Sequence, residues 1–380
     1  MFKRKISIGV ISPYNPKDKK AASGTNFKII EALEKQGADI VWIKSSQNFL
    51  WRILEKILRR IYLLLSHKML FFRFTLLGAY LESHTLNTCL MKQCDVIFAS
   101  FSSPSCYKIK FPDKPLVYLT DATWHQLQNY YFFNFSDISI KDGDKVEKYI
   151  LEKADVVIGA SKWMIDSAVD YYHQKRDKFY QVHFGANMDE KDLLYKEFEY
   201  KDHLDLLFLG VDWIRKGGDI AVEATKWLND NGVPSTLHVI GIDELPIKVS
   251  KLEYVDNIGR LDKNNPKEYE LLVKEMSKCH LLLLPTIAEC AGIAFCESCA
   301  MGLPSFTHAT GGTTDYVIDG YTGRLFEIGT KGVDFGKQIK EDLQTGLLQI
   351  MSHNANIHYK DTLNWDVWGN KVSEIINTLI

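Results

Sequence analysis

Short apolar runs alternate with amphipathic stretches through the first half of the chain. Ile6–Ile11, Asp39–Ile43, Asp95–Ala99, Leu116–Leu119 and Val156–Gly159 are rich in aliphatic and β-branched residues. Runs of this length predict strands buried on both faces. Between the first two, "TNFKIIEALEKQG" sets Phe27, Ile30 and Leu33 on one helical face and stops at Gly37. Strands alternating with such helices predict a parallel sheet covered by helices on both sides.

The pattern then restarts. "DLLFLGV" (Asp205–Val211) reads as a buried strand, "GDIAVEATKWLNDNG" as a helix ending at Gly232, and "STLHVIG", "HLLLLPT", "LPSFTHA" and "TGRLFE" as further strands. Two βα systems of similar size in 380 residues predict an α/β protein with two Rossmann-like domains. The expected boundaries are 1–188, 189–360 and a C-terminal helix, 361–380, returning toward the first domain. The charged stretch "VHFGANMDEKDLLYKEFEYKDHLD" is the expected linker. Neither half carries G-x-G-x-x-G after its first strand, which disfavours a dinucleotide-dependent dehydrogenase.

Composition narrows the class. A net charge of −2 argues against a surface built for nucleic acid, so any electrostatic partner must meet a local patch. "MFKRKISIGVISPYNP" begins with basic residues, but its apolar run is too short for a signal peptide and meets Pro13 and Pro16. No run of eighteen apolar residues predicts a transmembrane helix. Seven cysteines, an odd number without scaffold spacing, fit a reducing cytosol. Cys296, Cys299 and Ala300 share one helical face, so the C-x-x-C reads as core packing rather than a zinc site.

The candidate chemistry lies in "AECAGIAFCESCAMGLPSFTHATGGTTDYVIDGYTGRLF". Glu289 is expected in a loop after an apolar strand, and "IAFCESCAMG" as a helix stopping at Gly302. Glu297 then sits in the second turn, roughly 7–8 Å beyond Gly292 at the α-helical rise. Between the acids, the N–H groups of Gly292, Ile293 and Ala294 predict an anion site, with Gly292 allowing close approach. An acid, a phosphate cradle and a second acid match a nucleoside diphosphate sugar: sugar hydroxyls, diphosphate, ribose hydroxyls. A solvated loop acid and a surface helix acid would be the plain alternative.

Glu289 and Glu297 make an E-x7-E pattern that resembles the retaining glycosyltransferases of family 4, which have the GT-B fold of two Rossmann-like domains facing each other across a cleft. The glycine pair and "DGYTG" turn that follow, "RKGGDIAVEA", "GADIVWIK", "EKADVVIGASKWMIDS" and "FGANMD" are similar to segments of that family in the same order. The resemblance covers nearly the whole chain and is weakest from about Phe49 to Leu90.

The resemblance implies transfer of a sugar from a nucleotide donor, with retention and without an essential metal or other cofactor. Glu289 would contact the donor sugar, Glu297 would hold the ribose, and the amides at Gly292, Ile293 and Ala294 would hold the diphosphate. Lys216 matches the family lysine that neutralises the leaving diphosphate, a sensible place for a fixed cation. The arginine that often follows the strand's glycine is absent, since Val211 follows Gly210; Arg215 is the candidate replacement. Gly24 and Thr25, at a helix start, would approach the diphosphate or acceptor, with Thr25 also readable as a plain N-cap. Asp121 stands at a strand end where many members have a histidine. His125 is either its displaced equivalent on the acceptor side or a structural residue. Arg260, in "YVDNIGRLDK", is a candidate at the base.

Phe49–Phe74, "FLWRILEKILRRIYLLLSHKMLFFRF", carries six cations against one acid, Glu55. Basic amphipathic segments of this kind bind anionic membrane surfaces, and a core helix pair with basic edges is the alternative. Together these features predict a cytoplasmic hexosyltransferase of surface-polysaccharide type, peripheral to the inner face of a membrane. It would use a UDP-sugar or, next, a GDP-sugar and a glycan or polyprenyl-linked acceptor. A sugar-nucleotide epimerase of the same fold and a catalytically silent carbohydrate-binding subunit are the rivals.

Overall fold

A computed structural model describes residues 1–12, 15, 18 and 24–380. It divides into two compact units, Met1–Val182 with Trp368–Ile380, and His183–Val367.

The first unit is built on six parallel strands: β1 (Ile6–Ser12), β2 (Ala38–Lys44), β3 (Val96–Ser100), β4 (Leu116–Thr120), β5 (Val156–Gly159) and β6 (Phe179–Gln181), in the order β2-β1-β3-β4-β5-β6. Every residue of β3, β4 and β5 is buried, as continuous apolar runs require when helices cover both faces. The short β6 at the sheet edge was not visible as a strand, because its exposed Tyr180 leaves too little apolar pattern. The last helix, Trp365–Asn377, joins this unit from Trp368, whose ring lies 6.5 Å from Phe98, while Asn377 Nδ2 donates to Met1 O at 3.1 Å.

Residues 49–74 divide differently from a single amphipathic segment. Phe49–Ser66 is one helix, capped by the Asn48 side chain, with Trp51 its only buried residue. Its Leu54, Leu58 and Tyr62 pack on Trp51, Leu70 and Phe72. Leu70 and Phe72 are buried, so the end of the stretch belongs to the core.

The second unit holds β7 (Leu204–Leu209), β8 (Ser235–Ile240), β9 (Val255–Gly259), β10 (Leu281–Leu283), β11 (Ser305–His308) and β12 (Gly323–Phe326), in the order β12-β11-β10-β7-β8-β9. All pairings are parallel. β9 escaped the sequence reading because its residues are mostly exposed or half-buried. The stretch expected as a linker is irregular, but its beginning is no solvated tether. Phe184, Ala186, Asn187 and Met188 are buried, and Trp365 Nε1 donates to Ala186 O at 3.0 Å and Asn187 Oδ1 at 3.2 Å.

Candidate active site

From β7 the chain winds outward through β8 and β9, then returns to β10 beside β7 and winds the other way through β11 and β12. The connections leaving β7 and β10 therefore diverge to opposite sides. Open α/β sheets bind ligands at such a reversal, outside the carboxyl ends of the strands. Lys216 follows β7 and Glu289 follows β10.

The two side chains meet. The Lys216 ammonium is hydrogen-bonded to Glu289 Oε2, and both residues are buried, at 8% and 6% exposure. A buried ion pair is held only if its surroundings fix the geometry, and the backbone here does so. Ile287 N–H donates to Arg215 O at 2.8 Å, and Thr286 Oγ1 donates to Arg215 O at 3.2 Å and Ala288 O at 3.0 Å. Gly217 adopts φ +76°, and a Cβ there would lie 2.1 Å from Pro285 O, so only glycine allows the two connections to touch.

Arg215, the candidate replacement for the absent arginine, is tied to its surroundings. Its Nη1 donates to Ala288 O at 3.0 Å and its Nε lies 3.5 Å from Asp212 Oδ2. It thereby steadies the residue preceding Glu289. From the other side, Gly312 N–H donates to Glu289 O at 3.0 Å. The glycine pair thus ties the next connection to the acid's own backbone. His308 Nδ1 lies 3.0 Å from Pro285 O. A carbonyl only accepts, so Nδ1 carries the proton. His308 is a support that the sequence reading missed.

Glu297 lies in the Ile293–Ala300 helix, buried at 3% exposure. Its Oε1 is 2.5 Å from Lys263 Nζ, which also donates to Asn187 O at 3.3 Å. Lys263 follows β9, and only its place in "YVDNIGRLDK" hinted at it. The same segment's Arg260 is exposed, one residue past β9, with no bonded partner among the described residues.

The helix start differs from the expected cradle. Ile293 N–H is not free but donates to Ala291 O at 3.2 Å, whereas those of Gly292 and Ala294 make no hydrogen bond among the described residues. Gly292 has a packing reason of its own: a Cβ would lie 1.9 Å from Phe295 Cδ2. The "DGYTG" segment is a structural turn, with Asp319 Oδ1 accepting from Leu325 N–H at 3.0 Å and Ile318 N–H donating to Thr322 Oγ1 at 2.9 Å. Cys296 and Cys299 are fully buried, and burial pushes the Cys299 thiol up to about 12, so both belong to the core.

In the first unit the reversal lies between β1 and β3. Gly24, with φ +86°, is the N-cap of the Thr25–Lys35 helix, which corrects the reading of Thr25 as the cap. Residues 19–23 of the loop before it lie outside the described residues. Asn26 is a further candidate there. Its Oδ1 accepts from Ser100 Oγ at 2.9 Å, while its buried Nδ2 has no partner among the described residues. Asp121 lies one residue past β4, partly buried. His125 is exposed; its ring stacks on Tyr171 at 3.5 Å between centroids, and its backbone N–H donates to Tyr172 OH at 3.1 Å.

Two parallel-sheet α/β domains match the GT-B fold, and solved structures agree on it. A glycosyltransferase from Rickettsia africae aligns with a TM-score of 0.67 at 14% identity, covering 99% of this chain and 98% of that one. Anabaena HepE, solved with UDP-glucose, aligns at 0.63 and 13% identity, covering 98% and 100%. Residues 189–356, which lie within the second unit, match the model of the family glycosyl transferases group 1. An uncharacterized glycosyltransferase of Methanocaldococcus jannaschii is 27% identical over 54% of this chain and 52% of its own length. The lipopolysaccharide glucosyltransferase WaaG of Escherichia coli is 30% identical over 45% of this chain and 46% of its own. The matched region thus spans about half the length of these curated relatives.

Proposed function

We propose that the protein is a retaining glycosyltransferase that moves a hexose from a nucleotide donor, UDP-linked in preference to GDP-linked, to a glycan or lipid-linked glycan acceptor. The observation that carries this reading is the buried Lys216–Glu289 pair at the β7/β10 reversal, with Glu297 in the short helix that follows. Lys216 meets the β-phosphate as the bond from the anomeric carbon to phosphate oxygen breaks and that oxygen keeps the electron pair. The diphosphate competes for the ammonium and leaves Glu289 facing the sugar as positive charge grows on its ring. The acceptor oxygen then bonds the anomeric carbon on the face the phosphate leaves, and its proton passes to the departing phosphate oxygen. Glu297, steadied by Lys263, accepts from the ribose hydroxyls, and the amides of Gly292 and Ala294 face the diphosphate. No step calls on a resident metal.

UDP is favoured because HepE is solved with UDP-glucose, and a surface-glycan acceptor because WaaG is named for lipopolysaccharide. Such an acceptor would be met at the cytoplasmic face of a membrane, through residues 49–74 of the first unit.

A screen of UDP- and GDP-sugars by thermal shift, followed by transfer assays, tests the reading. A donor at 100 times its dissociation constant stabilises by about 2.7 kcal/mol. Nucleotide release that depends on acceptor supports a transferase. Release without acceptor points to the epimerase, and binding without turnover to a silent carbohydrate-binding subunit.

A further inference from the structure

The Phe49–Ser66 helix leaves one apolar face without a partner. Leu54, Leu58 and Tyr62 face the core, but Phe49, Ile53, Ile57, Ile61 and Leu64 are all exposed. Their spacing sets them in one stripe along the helix, about 27 Å in length for 18 residues. Lys56 and Arg60 border this stripe, and Arg52 and Arg59 continue the basic side. All four are exposed and make no ion pair among the described residues.

A second element, distant in sequence, adjoins the end of this helix. Met69 N–H donates to Asn134 O at 2.8 Å, and Asn134 Nδ2 donates to His67 O at 2.9 Å. Asn129 and Asn134, at φ 55° and 60°, bracket the loop between them in the left-handed conformation asparagine tolerates. Phe132, still 37% exposed, rests its ring 5.9 Å from Phe71 and 5.6 Å from Phe135. Phe133 is carried outward on that platform at 60% exposure.

We propose that the Phe49–Ser66 helix and the loop bearing Phe133 form one docking surface for an anionic lipid bilayer. It rests on the membrane-surface reading of residues 49–74 and adds a second anchor outside them. The helix lies flat, its apolar stripe at the acyl boundary and its cations among the headgroups, and Phe133 enters beside its C-terminal end. No helix among the described residues is long and apolar enough to cross a membrane, so the surface lies on the bilayer. Charge selects this occupant over a second copy of the chain. Four cations crowd one helix, and two such helices face to face would repel.

Cosedimentation of the full chain with vesicles of phosphatidylcholine, alone or mixed with phosphatidylglycerol, tests this without turnover. The wild type is expected to bind only the anionic vesicles. Replacing Arg52, Lys56, Arg59 and Arg60 by Gln should lower partitioning at least about 100-fold, and Phe133→Asp about tenfold. Phe133→Asp should keep the wild-type midpoint in urea, showing that it folds. If Phe133→Asp binds as wild type while the helix variant does not, the joint surface fails and the membrane reading stands. If the wild type ignores anionic vesicles, both fail. A dimer in sedimentation equilibrium that Phe133→Asp disperses, without vesicle binding, assigns the face to a second copy and overturns the proposal.

Discussion

Lys216 and Glu289, 73 residues apart, bury their opposite charges against each other where the connections leaving β7 and β10 meet. Both side chains are largely withdrawn from water, at 10% and 8% side-chain exposure.

Removing one partner of a buried pair strands the other, at a cost of about 3–5 kcal/mol. Lys216→Met should therefore lower stability in urea by that order, and adding Glu289→Gln should recover part of the loss. Coupling under about 0.5 kcal/mol in the double-mutant cycle would show that the two act independently. In transfer assays with saturating donor, Lys216→Met should lower kcat about 100-fold or more with little change in KM. A change in KM alone would make Lys216 a binding residue only.

Under the proposed function, variants of the Lys263–Glu297 contact test nucleotide binding apart from chemistry. Glu297→Ala removes hydrogen bonds from a charged acceptor, worth about 1.5–3 kcal/mol each, and should weaken UDP binding by at least about tenfold. Lys263→Ala should weaken it less, because Glu297 remains but loses the cation that orients it. Calorimetry in which Lys263→Ala binds UDP as wild type would leave Lys263 with a packing task only.

In the first unit, burial raises Glu147 to about 7, against hydrogen bonds that pull it down, including the one from Tyr118 OH at 2.8 Å. The folded protein therefore keeps this proton where the unfolded chain has lost it, between the ordinary carboxylate value of 4.5 and about 7. Stability falls with rising pH wherever the native state holds more protons, so this group's contribution declines across that window and then levels. Glu147→Gln, which still accepts from Tyr118, should lose less stability than wild type on going from about pH 5 to about pH 8. Denaturant midpoints at the two pH values check this, and equal slopes in the two proteins would show that Glu147 ionises freely in the fold.

Local pattern carried much of this in the linear chain. Apolar runs placed ten of the twelve strands among the described residues; β3, β4, β5 and β10, buried at every position, are apolar nearly throughout, while β2 and β12 were legible although partly exposed. Two of the four edge strands, β6 and β9, went unseen, because β6 is three residues long and β9 has Asp256 and Asn257 exposed at its middle. Glu289 in a loop and Glu297 in the following helix were equally legible, because Pro285 and Gly302 punctuate the chain around them.

What each acid touches was decided by topology. The cations facing Glu289 and Glu297 come from connections after β7 and β9, and periodicity holds no information about which strand ends lie side by side. The Phe49–Ser66 helix makes the same point. Its sequence announced an amphipathic segment, but apolar residues occupy more than one side of it. Only packing on Leu70 and Phe72 chose which would be covered and which left exposed.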